Sequence, residues 1–205
     1  VANDALSTGE WRKYNKAGGY RKWYGVASHA IDWRKNGAEL KSFKGAGLSS
    51  ASNFGKSHLV WGKLTSGDPS FRFDTDEIWF DDASPAVIEP ENYDLCLALL
   101  NSNSARMFLK TFNPTMNLQP GDVSKVPYPV VREKDHVAAV SRALCSLSKS
   151  DWESYETSWD FTTLPLLSPV HRSGTLDATY ARLRAHWAGM TEEMQRLEEE
   201  NNRIF

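Results

Sequence analysis

Residues 176–204 read LDATYARLRAHWAGMTEEMQRLEEENNRI, and within them Leu176, Tyr180, Leu183, Trp187, Met190, Met194, Leu197, Asn201 and Ile204 recur at alternating steps of four and three. That pattern is an unbroken heptad seam along one face of a helix, about 43 Å long at 1.5 Å per residue. A seam of this length needs a partner. The stretch 136–148, where Val137, Val140, Leu144 and Leu147 keep one helical face apolar, supplies it within the chain. A helix outside the chain is the alternative. A polar Asn201 in the seam selects one register over others at some cost in stability.

Working back from this helix, Ser150 and Glu153 have capping-box spacing and predict the start of a short helix. Residues 113–130 hold Pro114, Pro120, Pro127 and Pro129, which forbid a continuous helix and demand an ordered loop or edge strand. Residues 93–112 read as helical on either side of an interruption at Asn101-Ser102-Asn103. Upstream the period shortens to that of strands, at 59–65, at Phe71 and Phe73, and at 78–80. Ile31 and Trp33 alternate with polar residues, and Asn36-Gly37 offers the positive φ of a tight turn. The same stretch therefore predicts a hairpin with 40–43 as the returning strand. Residues 44–57 carry three Gly and four Ser and read as a long surface loop, too poor in apolar contacts to pack as an element. The expected fold is α+β. Residues 1–10 form a linker from an upstream part, 11–130 a small β-rich domain with short helices, and 131–205 a helical packing region.

Composition narrows the function. In 205 residues, 40% are hydrophobic and eight are Trp, and no apolar run approaches 18 residues, so the chain has the makings of a packed core and no membrane-spanning helix. Both cysteines, Cys96 and Cys145, lie in apolar helical stretches and read as reduced core thiols, which fits a cytoplasmic protein. The chain opens on Val1 rather than Met and is expected to be cut from a longer protein. The net charge of −2 conceals an asymmetry: residues 1–65 hold 11 Lys+Arg against 4 Asp+Glu, and the remaining 140 hold 13 against 22. Charge divided this way suits a polyanion-binding face backed by an acidic scaffold.

The basic part is organised. Residues 10–25 interleave aromatics and cations around a Gly18-Gly19 turn. Arg12, Lys13, Lys16, Arg21 and Lys22 can neutralise phosphates, while Trp23 and Tyr24 anchor the segment to a core. Other constellations read as ordinary structure. Asp32 with Glu39 and Lys41 imitates a nuclease metal site but falls on a short surface hairpin. Asp74, Asp76, Glu77, Asp81 and Asp82 match no calcium loop. The five histidines lack metal-ligand spacing. Asn113-Pro114-Thr115-Met116 imitates the Asn-Pro-Pro-Tyr tetrapeptide of adenine-N6 methyltransferases, yet Thr115 and Met116 replace its second proline and its stacking ring. No catalytic, cofactor-binding or metal residue is assigned in this chain.

Several blocks together resemble one family. Gly18-Gly19-Tyr20-Arg21-Lys22-Trp23-Tyr24-Gly25, Leu99-Leu100-Asn101-Ser102, the run 112–122 with its Asn-Pro-Thr-x-Asn-x-Gln-x-Gly-Asp pattern, Asp151-Trp152-Glu153 and the run 156–161 are similar, in order, to the C-terminal target-recognition part of the PglX adenine-specific DNA methyltransferases of BREX phage defence. The 113–122 pattern also resembles segments of single-chain restriction-modification enzymes. The resemblance implies a fragment that recognises double-stranded DNA beside an upstream methyltransferase core, with S-adenosylmethionine as cofactor of the parent and none held here. On this reading Arg12, Lys13, Lys16, Arg21 and Lys22 position the duplex, and Lys44, Ser52, Asn53 and Lys56 from the 44–57 loop reach base edges. Gln119 and Asp122 are expected to brace the proline-rich turn. The alternative is a protein-interaction module, built on the heptad seam and the acidic face with Glu192, Glu193, Glu198, Glu199 and Glu200, that docks other BREX proteins or a phage-encoded DNA mimic.

Overall fold

The computed structural model describes residues 6, 8–48, 51–75 and 77–205. Most of the proposed 1–10 linker, Ser49 and Ser50 of the proposed loop, and Asp76 of the acidic cluster lie outside the described residues. The architecture is α+β, with two three-stranded sheets followed by helices. In the first sheet, β1 (Trp11–Asn15) lies between β2 (His29–Asp32), antiparallel to it, and β5 (Ile78–Phe80), parallel to it. In the second, β3 (His58–Trp61) lies between β4 (Phe71–Asp74) and β6 (Ala86–Ile88), all antiparallel.

The expected hairpin at 31–43 does not form. β2 pairs instead with β1, Arg12 opposite Ile31 and Tyr14 opposite His29, and 40–42 belongs to helix α1 (Arg34–Ser42). Asn36 and Gly37 do take the positive φ that the sequence demands, at 58° and 71°, but Lys35 takes it too, at 51°. Three successive left-handed residues wind the chain onward instead of reversing it. Gly37 is required there, because a Cβ would sit 2.6 Å from the Trp33 ring.

The helical interruption at 101–103 is real and useful. α2 (Tyr93–Leu100) ends at Asn101, and α3 (Asn103–Phe112) starts on Ser102, whose hydroxyl accepts from the Ala105 N–H. Asn101 turns into the second sheet: its Oδ1 accepts from the Phe71 N–H and its Nδ2 donates to the Phe71 carbonyl, each at 3.0 Å. The Phe71 carbonyl also accepts from the Trp23 N–H, and the Trp23 carbonyl accepts from the Phe73 N–H, so Trp23 extends β4's edge by one residue. One apolar core results, in which Trp23, Leu59, Trp61 and Phe71 pack with Leu97, Leu100, Leu109, Val140, Leu144 and Leu197.

Beyond the short α4 (Pro120–Val123), α5 (Lys134–Trp152) and α6 (Leu176–Ile204) pack together, so the seam's partner lies within the chain. The seam is covered unevenly. Leu183 and Leu197 are buried, whereas Leu176 is 70% and Tyr180 49% exposed. Asn201 does not pair along the seam; its Nδ2 donates 2.9 Å to the Ala98 carbonyl of α2. The expected helix start at Ser150 is also corrected, because Ser150 lies inside α5 and Glu153 is its C-cap. The apolar period from Val137 runs on without a breaker, and Asp151 and Trp152 in its last turn are held by Arg21. Nor is the 44–57 loop without apolar anchorage: Phe54 stacks on Trp79 at 4.5 Å, directly after a 3₁₀ turn at Ala51–Asn53.

Replacing Asn101 with Ala leaves the buried Phe71 N–H with no side-chain acceptor. Asn101→Ala is expected to lower the unfolding free energy by about 1–3 kcal/mol, measured by denaturant titration. A loss under about 0.5 kcal/mol would show that the clamp contributes little.

Candidate nucleic-acid interface

The five cations of the first segment divide into two groups. Arg21 points into the molecule: its Nε donates to the Tyr24 carbonyl at 2.8 Å, its Nη2 to the Ser148 carbonyl at 2.6 Å and to Asp151 at 2.9 Å, and its guanidinium lies 5.4 Å from the Trp152 ring centre. Gly25 makes room for this stack, since a Cβ there would come within 2.9 Å of both Arg21 and Trp152, at a φ of +112°. Lys22 meets Glu198 of α6 at 3.1 Å, and the other oxygen of that carboxylate accepts from the Trp23 indole at 2.8 Å. Lys13 sits between Asp160 at 3.5 Å and Glu77 at 3.8 Å. These three cations, expected to meet phosphate, are engaged by the chain's own carboxylates. Sequence charge alone could not separate them, because their partners lie 64 to 176 positions away.

Arg12 and Lys16 are exposed and have no carboxylate partner among the described residues. Alternation along β1 puts Arg12 and Tyr14 on the face opposite Lys13, with Ile31 and His29 of β2 and Trp79 of β5. The Arg12 guanidinium lies 5.7 Å from the Trp79 ring centre. Trp79 is stacked by Phe54 at an interplanar angle of 16° and met edge-on by Trp33 at 4.4 Å, and the Lys41 ammonium lies 5.1 Å from the Trp33 ring. Trp33, Phe54 and Trp79 therefore form a platform that carries Arg12, Lys41, the α1 turn and the loop with Ser52 and Asn53. Lys44 is exposed beyond it, and Lys56 is paired with Glu89 at 3.5 Å on the surface. The sequence reading missed this platform and Lys41. Its signal was aromatic residues spaced through an otherwise polar stretch, which acquires meaning only when the strands are paired.

Within the first 65 residues, the described exposed cations without a carboxylate partner are Arg12, Lys16, Lys35, Lys41 and Lys44. Arg34 is neutralised by Asp32, whose oxygens accept from its side chain at 2.5 to 3.0 Å. Hydrogen bonds from Arg34 hold the Asp32 carboxyl below its usual range. That commitment removes Asp32 from any metal site with Glu39.

Other polar clusters have structural partners. Asn113 is closed into its own loop: its Nδ2 donates to the Asn117 carbonyl at 2.8 Å and to Asp122 at 2.5 Å, while its Oδ1 accepts from the Thr115 N–H and hydroxyl. Asp122 also accepts from the Gln119 N–H at 3.2 Å, bracing the turn as expected, and the Asn113 bond keeps its carboxyl below the usual range. No amide is left to receive an adenine N6. Between the sheets, Asn15 donates to Asp74 at 2.7 Å, His58 Nε2 lies 3.6 Å from the same carboxylate, and Arg72 is buried beside them, its guanidinium pKa lowered by burial. This cluster is closed to solvent. Among the described residues no group of three metal-ligating side chains occurs. None of the described strands runs through a glycine-rich loop into a helix, the arrangement whose backbone N–H groups would cradle a nucleotide cofactor.

No family model matches the chain. It is 32% identical over 207 residues to an adenine-specific methyltransferase PglX of Lacticaseibacillus casei (strain Zhang), an alignment covering 95% of this chain and 17% of that protein. It is 28% identical over 208 residues to an adenine-specific methyltransferase BrxX of Escherichia coli O9:H4 (strain HS), covering 98% of this chain and 17% of that protein. The chain thus spans 17% of the length of each of these curated relatives.

Burial pushes the Cys96 thiol up to about 11, and burial, with Asp94 nearby, pushes Cys145 up to about 12. Both stay protonated at neutral pH and cannot serve as nucleophiles. At pH 8 their alkylation by iodoacetamide is expected to run at least about 100-fold slower in the native chain than in denaturant, followed by mass spectrometry. Equal rates would contradict the buried-thiol assignment.

Proposed function

We propose, from its likeness over nearly its whole length to one segment of the PglX and BrxX adenine-specific methyltransferases, that the chain holds and reads double-stranded DNA for a catalytic core carried elsewhere in the parent enzyme. The parent would methylate adenine with S-adenosylmethionine in the cytoplasm. This segment, in the C-terminal part, would contribute recognition. One observation carries the reading: two of the unpaired cations of the basic part, Arg12 and Lys41, lie against the Trp33, Phe54 and Trp79 platform, whereas Lys13, Arg21 and Lys22 are turned inward.

Division of labour follows from geometry. Arg12 and Lys41 are oriented by the aromatic rings beneath them, so less side-chain freedom is lost when they meet phosphate. Lys16 and Lys44 extend the same charge along the duplex. Ser52 and Asn53, on the loop that Phe54 ties to the platform, would reach base edges, joined by Lys56 once it leaves its surface pair with Glu89. Arg21, Lys22 and Lys13 keep the platform in a fixed relation to the helices.

A second task is favoured by the uncovered end of the α6 seam. Leu176, Tyr180 and Trp187 remain exposed there, an apolar strip suited to packing against the rest of the parent or another defence protein. This strip is also where a BREX partner would dock. A phage-encoded DNA mimic, by contrast, would compete for the basic platform.

Duplex affinity should fall steeply with salt, the logarithmic slope being about −0.9 per phosphate neutralised. Arg12→Ala with Lys41→Ala is expected to make that slope shallower by about 2, whereas Lys22→Ala should leave it unchanged, both read by fluorescence anisotropy. Absence of duplex binding at low salt, or an equal effect of Lys22→Ala, would overturn the reading.

A further inference from the structure

The left-handed turn that replaces the expected hairpin presents a polar side chain in a fixed orientation. Lys35 and Asn36 stand exposed at φ 51° and 58°, a conformation that side chains with a Cβ disfavour, followed by Gly37 at 71°. Strained backbone of this kind persists where its surroundings over-determine it. Here the surroundings are specific. The Trp33 ring covers Gly37, the Gly37 N–H donates to the Trp33 carbonyl at 3.1 Å, and the Trp33 indole N–H donates to Asn36 Oδ1 at 3.2 Å. Trp33 is itself held edge-on to Trp79 and Phe54.

The Asn36 amide is therefore tethered through one lone pair of its oxygen. Among the described residues the other lone pair and both Nδ2 hydrogens have no partner, which leaves the acceptor and donor pair that matches N6 and N7 of adenine in the major groove. The flanking charges favour approach of a duplex. Lys35 and Lys41 have no carboxylate partner among the described residues, Arg34 is neutralised by Asp32, and Glu39 is the one carboxylate on the same helix.

Resting on the DNA-reading function above, we propose that Asn36 is a specificity-determining residue that reads an adenine edge in the recognised sequence, with the Trp33 indole fixing its amide. Asn36 was not among the side chains that loop composition singled out, because its exposure on a turn backed by Trp33 depends on the β1–β2 pairing.

The test uses the full parent enzyme and a duplex carrying its own methylated motif, with each adenine replaced in turn by 7-deazaadenine, which lacks N7. The wild type is expected to lose about 5- to 100-fold in affinity at one adenine other than the methylated one. Asn36→Gly keeps the turn, because Gly takes positive φ freely, and removes the amide. In that variant the loss at that adenine should vanish, while thermal stability and the salt slope stay unchanged. Trp33→Phe, which keeps a ring and removes the tether, should reduce the discrimination part-way. If the wild type discriminates and Arg12→Ala weakens binding, yet Asn36→Gly discriminates as the wild type does, the Asn36 assignment fails alone. If the wild type does not select its motif in duplex binding, the DNA-reading function fails with it.

Discussion

Trp23 and its two neighbours hold the molecule together. Trp23 adopts a left-handed backbone, φ +74°, that a large side chain rarely tolerates. It is kept there by backbone bonds to Phe71 and Phe73 on one side and by its indole bond to Glu198 of α6 on the other. Just before it in the chain, the Arg21 guanidinium reaches Asp151 in the last turn of α5, and the Lys22 ammonium meets the same Glu198. A short segment thus links the second sheet to both long helices. The Asn101 clamp on Phe71 adds a second polar tie between that sheet and the helices.

The same constraint sorts the charge. An excess of Lys and Arg in the first 65 residues looks uniform along the chain, but folding divides it. Cations on 21–22 and at Lys13 satisfy acidic groups of the helical part, and Gly25, Asp151 and Trp152 of the family-like blocks are structural partners of Arg21. Arg12 on the opposite face of β1 and Lys41 on α1 have no carboxylate partner among the described residues and stand on an aromatic base. The Asn113 block behaves like the Arg21 block. Its resemblance to a catalytic tetrapeptide ends in a loop that consumes its own amide.

Local patterns were legible and long-range choices were not. The heptad period of α6, the break at 101–103 and the strands at 71–73 and 78–80 follow from spacing alone, because each is decided within a few residues, whereas the strand expected over 59–65 ends at Trp61, before Gly62. The partner of β2 was not legible. Asn36-Gly37 announces positive φ, but whether the chain then reverses or winds on depends on Trp33 finding Trp79, 46 positions away. Ser150 and Glu153 have the spacing of a helix start, yet the apolar face of α5 and the Arg21 contact carry the helix through. Of the candidate site, the cationic segment and the 44–57 loop were visible as composition. Which cations face outward, and that Phe54 fastens the loop, required the fold.

On the proposed function, the outward cations around the Trp33 and Trp79 platform meet DNA and the inward ones do not. Lysine acetylation footprinting of the parent enzyme, with and without a duplex bearing its motif, tests this at single residues. Lys41 and Lys44 are expected to lose reactivity when DNA is added, while Lys22 stays as slow with DNA as without it. Protection confined to other lysines, with Lys41 and Lys44 unchanged, would contradict it.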